Sequence, residues 1–126
     1  MSNAHVIFGK LGENSAVGLL KAQGYKILAE NYRTPLGEID VVAQDGDTFC
    51  FIEVKSRHSS RKGLPQEAVS RQKQRQISKN ALFYLKAHKL MDKRARFDVV
   101  SVMDNGGSLK LDLIKSAFEL SREFTY

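Results

Sequence analysis

The period of the apolar positions changes along the chain, and the changes divide it into elements. Between about His5 and Gln23, the residues Gly9, Glu13, Ala16, Val17 and Leu20 fall on one stripe of a helix. Lys10, Asn14 and Lys21 fall to one side of that stripe, and Gly24 supplies a stop. Glu13 is thus a carboxylate near an apolar face. Tyr25 to Arg33 favours a strand, and Thr34-Pro35-Leu36-Gly37 reads as a turn. Two further strands, Gly37 to Ala43 and Thr48 to Ser56, are joined by Gln44-Asp45-Gly46-Asp47, where Asp-Gly is a hairpin signal. His58 to Gly63 is polar and reads as a mobile loop suited to closing on a ligand. Leu64-Pro65-Gln66 then opens a long helix to about Lys89, with Val69, Ile77, Ala81, Tyr84 and Leu85 as its apolar stripe. Phe97 to Met103 and Leu109 to Ile114 read as a last pair of strands around the turn Asp104-Asn105-Gly106-Gly107. The order α-β-β-β-α-β-β, with two helices set apart from a mostly antiparallel sheet, predicts one α+β or mixed α/β layered domain.

Composition narrows the class. Ser2-Asn3-Ala4 resembles the remnant of an expression tag, so residues 1–4 are set apart and 5–126 is read as a single domain. No apolar run approaches the roughly 20 residues that span a bilayer, and there is no signal-peptide pattern, so the expected setting is cytoplasmic with no membrane partner. The single cysteine, Cys50, lies in Phe49-Cys50-Phe51-Ile52 and reads as a small buried hydrophobe. A chain of this size can bury roughly two-thirds of its unfolded surface, so a metal would be functional and not a structural staple.

The net charge of +6 is unevenly spread. Up to Val54 there are four basic residues against seven acidic ones; from Lys55 to Arg96 there are thirteen Lys or Arg against only Glu67 and Asp92. A local balance this positive points to a polyanion, and to nucleic acid before a solvated surface. A membrane anchor fits poorly, because the same stretch carries Gln66, Gln72, Gln74, Gln76, Ser78 and Asn80 and no bulky apolar face.

Glu38, Asp40, Glu53 and Lys55 interrupt strands that otherwise read as buried. Residues two apart on a strand share a face, so Glu38 goes with Asp40 and Glu53 with Lys55. If Asp45-Gly46 is a two-residue turn, or the loop has four residues, Asp40 faces Phe51 and Glu38 faces Glu53. All four charges then lie on one face, with the carboxylates of Asp40 and Glu53 about 5 to 7 Å apart on a diagonal. Such a cluster is costly unless a cation binds it, and oxygen ligands without His or Cys select Mg²⁺ or Mn²⁺ over Zn²⁺. Lys55 could then orient or activate a water or offset charge on a phosphoryl group. A plain ion-pair network at a strand end is the other reading of the same spacing.

These residues resemble a known pattern. Gly37-Glu38-Ile39-Asp40 followed by Glu53-Val54-Lys55 resembles the acid and E-x-K core of the PD-(D/E)XK nuclease superfamily. More closely, the chain resembles the YraN-like family of small bacterial proteins. The matching stretches are Gly12-Glu13, Gly24-Tyr25-Lys26-Ile27-Leu28, Asn31-Tyr32-Arg33, Gly37 to Asp40, Phe51 to Arg57, Lys73, and Arg96 to Val100. The resemblance implies a restriction-endonuclease-like α/β fold, a mixed sheet flanked by helices. It implies Asp40 and Glu53 as metal ligands, the main-chain carbonyl of Val54 as a third, Lys55 as the catalytic lysine and Glu13 as a helix glutamate assisting the metal or its water. Glu38 ranks behind these as a supporting residue. The family signature has a Pro before the acid where this chain has Ile39.

The expected activity is Mg²⁺- or Mn²⁺-dependent hydrolysis of DNA phosphodiester bonds, with branched or repair and recombination intermediates as candidate substrates. Phosphate grip is expected from Arg57, Arg61, Lys62, Arg71, Lys73 and Arg75, with Gln76 within reach. The alternatives are a non-cleaving nucleic-acid-binding module of the same fold and a scaffold for an acidic protein. Resolvases of the superfamily act as dimers, which leaves room for a homodimer. His5, His58 and His88 lack metal-ligand spacing and read as surface residues, and Asp98 reads as structural, paired with a base at a sheet edge.

Overall fold

In the computed structural model, residues 2–58 and 69–120 are described, with side chains from Phe8 onward. The elements are α1 (Ser2–Ala22), β1 (Lys26–Thr34), β2 (Gly37–Asp45), β3 (Thr48–Arg57), α2 (Arg71–Ala87), β4 (Arg94–Asp104) and β5 (Leu109–Phe118). The predicted order therefore holds, and the backbone of Ser2-Asn3-Ala4 continues α1.

The strands form one mixed sheet in the order β1-β2-β3-β4-β5, antiparallel except for β3 and β4, which run parallel. A parallel pair needs a crossover, and α2 lies in the connection that supplies it. The helices cover opposite faces. Ala16, Val17 and Leu20 of α1 pack with Val41, Ala43, Cys50, Ile52, Val100 and Val102. Ile77, Ala81, Tyr84 and Leu85 of α2 pack with Val42, Phe51, Phe97 and Val99. Strands covered on both sides have no solvent face to mark with polar residues, which is why Phe97 to Val102 is buried without interruption. Cys50 is fully buried, as expected, and burial pushes its thiol up to about 12.

Three sequence expectations are corrected. First, the long helix does not open at Leu64-Pro65-Gln66. It begins at Arg71, where the Ser70 hydroxyl accepts from the Lys73 N–H at 3.1 Å, and Val69 and Ser70 lie before it. Residues 64–68, and most of the predicted loop at 58–63, lie outside the described residues. Second, the β2–β3 hairpin turns on Gly46-Asp47, closed by Asp45 facing Thr48, with Gly46 at φ +64°. The register is thereby displaced by two residues, an even shift that keeps every side chain on its expected face but changes who faces whom. Third, Asp98 sits on an interior strand and not at a sheet edge. Its base is Arg96, two residues along the same strand, donating from Nε at 2.9 Å.

Candidate functional site

The charged residues of β2 and β3 meet where these two strands part. Their pairing ends at Val41 facing Ile52, so Asp40 comes next to Glu53 instead of opposite Phe51. Beyond that point the Asp40 carboxylate takes over the ladder, accepting from the Val54 N–H at 2.8 Å. A main-chain donor on one strand thus fixes an acidic side chain of the next, a placement that tolerates little rotation.

Glu53 is 8% exposed and projects toward α2, like Phe51 two residues before it. Lys73, in the first turn of α2, places Nζ 3.6 Å from Glu53 Oε2. Burial pushes the Glu53 carboxyl up to about 7, and the charge of Asp40 pushes the same way. Lys73 offsets part of this, a hydrogen bond with Asp40 adds to the rise, and Lys55 offsets a little more. Glu53 is therefore the carboxyl of the two that burial and its neighbour push toward the protonated form.

Glu13 reaches the same neighbourhood from the other face. α1 approaches β3 so closely at Gly12 that a Cβ there would fall 2.6 Å from Ser56 Oγ. The absence of that Cβ lets α1 lie close to the sheet, with the next residue, Glu13, within reach of Asn31 on β1. Its carboxyl is raised by burial and then by the charges of Asp40 and Glu38. With its amide nitrogen turned inward, Asn31 donates to Glu13 Oε1 at 3.1 Å and to Glu38 Oε1 at 3.2 Å.

The predicted residues divide accordingly. Asp40, Glu53 and Lys55 are brought together, with Glu13 coupled to them through charge. Glu38 does not face Glu53: it pairs across to β1, with Arg33 Nε at 3.4 Å from its carboxylate. Arg57 ends β3, and Arg71 and Arg75 lie exposed on α2. Arg61 and Lys62 lie outside the described residues. Gln76 does not point to a ligand; it donates to the Leu36 carbonyl and ties the β1–β2 turn to α2. His58 stands against Asp104 and stacks on Phe8, and His88 stacks on Tyr84 at the end of α2.

Sequence reasoning missed Asn31 as a site residue. It adopts φ +50°, a backbone state that Asn accepts more readily than most residues, and that kink turns its amide toward the two glutamates. The signal available was its place in the family-matching stretch Asn31-Tyr32-Arg33, which gave it no role at the acids.

The donor set fits a hard divalent cation. Two carboxyls in hydrogen-bond contact, one of them nearly buried, carry a like-charge penalty that a cation would relieve. Among the described residues, no three His, Cys, Asp or Glu side chains converge closely enough to hold one ion. The close pair is thus Asp40 and Glu53, and Glu13 stands beside it and does not complete a triad.

A family model described as "Uncharacterised protein family UPF0102" matches residues 12–102, the span from Gly12 to Val102 that holds every element of the site. The chain belongs to this family. A UPF0102 protein of Syntrophus aciditrophicus is 53% identical over 113 residues, covering 90% of this chain and 89% of its own. One from Geobacter metallireducens is 47% identical over 121 residues, with 96% and 99% covered. Another from Desulforapulum autotrophicum is 42% identical over 119 residues, with 94% and 98% covered. The resemblance to the YraN-like family therefore holds over nearly the whole domain. Among the described residues, no helix is long and apolar enough to cross a membrane.

Proposed function

We propose that this domain is a metal-dependent deoxyribonuclease that hydrolyses a DNA phosphodiester bond at the Asp40–Glu53 pair. The observation that carries the reading is a pair of neighbouring carboxyls, Asp40 anchored by a main-chain N–H and Glu53 nearly buried, at the basic first turn of a helix. An ion-pair network kept for stability would match each carboxylate closely with a base; here two acids are pressed together, and Lys73 stands 3.6 Å from Glu53.

Asp40 and Glu53 would hold Mg²⁺ or Mn²⁺ with the Val54 carbonyl, and the bound ion would supply Lewis-acid stabilisation of charge on the phosphoryl oxygens. Lys55 lies on the same strand face as Glu53, where its ammonium orients the attacking water and offsets developing charge. Glu13, tethered by Asn31, accepts a hydrogen bond from that water. Arg71, Lys73 and Arg75 sit on the first turns of α2, which carries no acidic residue there. Cations at a helix N-terminus oppose the helix dipole, so their cost to the helix is repaid by a bound phosphate, which the same N-terminus attracts.

One observation favours a second reading. The ammonium of Lys73 already partly neutralises Glu53, as expected of a domain that keeps the fold and binds nucleic acid without cutting it.

Incubation of labelled DNA substrates, a four-way junction among them, with Mg²⁺, Mn²⁺ or EDTA separates the two. Metal-dependent product is expected from the native chain. Asp40→Ala and Glu53→Ala should each lose at least about a hundredfold in rate while retaining DNA binding. Full activity in either variant would refute the assignment, and salt-sensitive binding without product would establish the non-cutting module.

A further inference from the structure

The carboxylate pair uses only the first turn of α2, and the rest of the helix carries a feature that this chemistry leaves unexplained. Leu36, in the β1–β2 turn, and Phe83, on α2, are 48% and 37% exposed. With Lys79, Leu82 and Lys86 they line a recess of about 230 Å³. The turn is fastened in place: Gln76 donates to the Leu36 carbonyl, and the Thr34 hydroxyl donates to Asn80 Oδ1. Leu36 is therefore held against α2 before any ligand arrives.

Phe83 belongs to a longer stripe. Arg71, Arg75, Lys79, Phe83 and Lys86 recur every three or four residues, are all exposed, and follow one side of the helix for roughly 22 Å. α2 contains no Asp or Glu at all. A face kept for solubility mixes both signs and gains from i,i+4 pairs, and this one forgoes them. Solubility also gives no reason for an exposed phenyl ring between two lysines.

The chemistry of the recess selects among partners. An acidic protein surface would use the lysines but has no need of a flat ring. A membrane surface would need a far larger apolar face than two side chains. An unpaired nucleotide matches both features, since its base offers a π-face and the phosphates on either side carry the charge. In a duplex the same base is already stacked and cannot be offered.

We propose that the Leu36–Phe83 recess holds an unpaired base of a DNA strand, with Lys79 and Lys86 on the flanking phosphates. This rests on the reading of the domain as DNA-binding and names the form of DNA it takes. The strand follows α2 away from the carboxylate pair, so the preferred substrate has single-stranded character next to the bond to be cut.

The test is fluorescence anisotropy with labelled oligo(dT) and a blunt duplex, in EDTA so that nothing is cleaved. Phe83→Ala is expected to weaken oligo(dT) binding about tenfold and leave the duplex unaffected. Phe83→Trp should retain binding and Phe83→Leu should lose it, because stacking needs a ring and not just apolar area. Joint replacement of Lys79 and Lys86 by Ala should lower the single-strand salt slope by about 1.4. Equal loss on both DNAs, no loss, or full binding by Phe83→Leu would overturn the proposal. So would a free protein that sediments as a dimer and becomes a monomer on Phe83→Ala, since a second copy would then cover the patch. Retained capture of an acidic peptide together with Phe83-independent oligo(dT) binding would overturn it too. Phe83-dependent single-strand binding without metal-dependent cleavage would leave this proposal standing and sink the nuclease. Cleavage with Phe83-independent binding would do the reverse.

Discussion

Glu53 carries a stability cost at the centre of the proposed site. Burial and the charge of Asp40 raise its carboxyl from the ordinary 4.5 to about 7, so across that window the folded chain binds more protons than the unfolded one. By linkage, stability falls as pH rises from about 4.5 to 7 and levels off above it. Glu53→Gln removes the penalty of the charged form. It is expected to stabilise the metal-free protein at about pH 8 by roughly 1–3 kcal/mol and to do little near pH 5. Urea titrations at both pH values check this, and an equal gain at both would contradict it. Asp40, Glu53 and Lys55 were legible in the sequence because ionised groups in otherwise apolar strands demand a reason. Asn31 was not, because its part depends on a positive φ that a strand pattern does not announce.

At the scale of the element, α2 departs most from what its sequence suggests. Pro65 mimics a helix start, yet the helix begins six residues later behind Ser70. The cap is the decisive signal, and it is easily passed over because the third helical position holds Lys73 where a capping box would hold Glu or Gln. Arg71 and Lys73 oppose the helix dipole, so this end depends on its cap more than most. Ser70→Ala is expected to cost about 1 kcal/mol in chemical denaturation, toward the middle of the range for lost N-caps. An unchanged midpoint would mean that the contact of Lys73 with Glu53 alone holds the first turn. The hairpin shows the opposite case. Asp45-Gly46 and Gly46-Asp47 are equally plausible centres for the turn, and the choice between them moved the register without moving any residue to the other face. The shared face of the acids was therefore legible, and their partners across the strands were not.

At the scale of the molecule, the end of the sheet away from the carboxylate pair is closed by a network around Asp98. Its fully buried carboxylate accepts from the Tyr25 hydroxyl at 2.9 Å, from Arg96 Nε and Nη2 at 2.9 and 3.0 Å, and from the Ser116 N–H at 2.9 Å. Arg96 also reaches Asp45 at 3.0 Å, so the network joins the hairpin turn, the start of β1 and the end of β5. Asp98→Ala strands the guanidinium and the phenol at once. Thermal or urea unfolding should show a loss of about 3–5 kcal/mol, and a loss under 1 kcal/mol would mean that Asp45 alone satisfies Arg96. Residues two apart on one strand were readable as a pair; the reach to Tyr25 and Ser116 was not, because it depends on which strands become neighbours. That choice of neighbours also bears on how the chain folds. β1, β2 and β3 form a meander of local contacts, whereas β3 meets its parallel partner β4 only after the whole of α2 has been threaded between them. Closing this pair has the highest entropic barrier in the sheet, and it is also the step that seats α2 and brings Lys73 to Glu53. The slowest contact to form is thus the one that adds the helix's counter-charge, Lys73, to the Lys55 already carried beside Glu53 on β3.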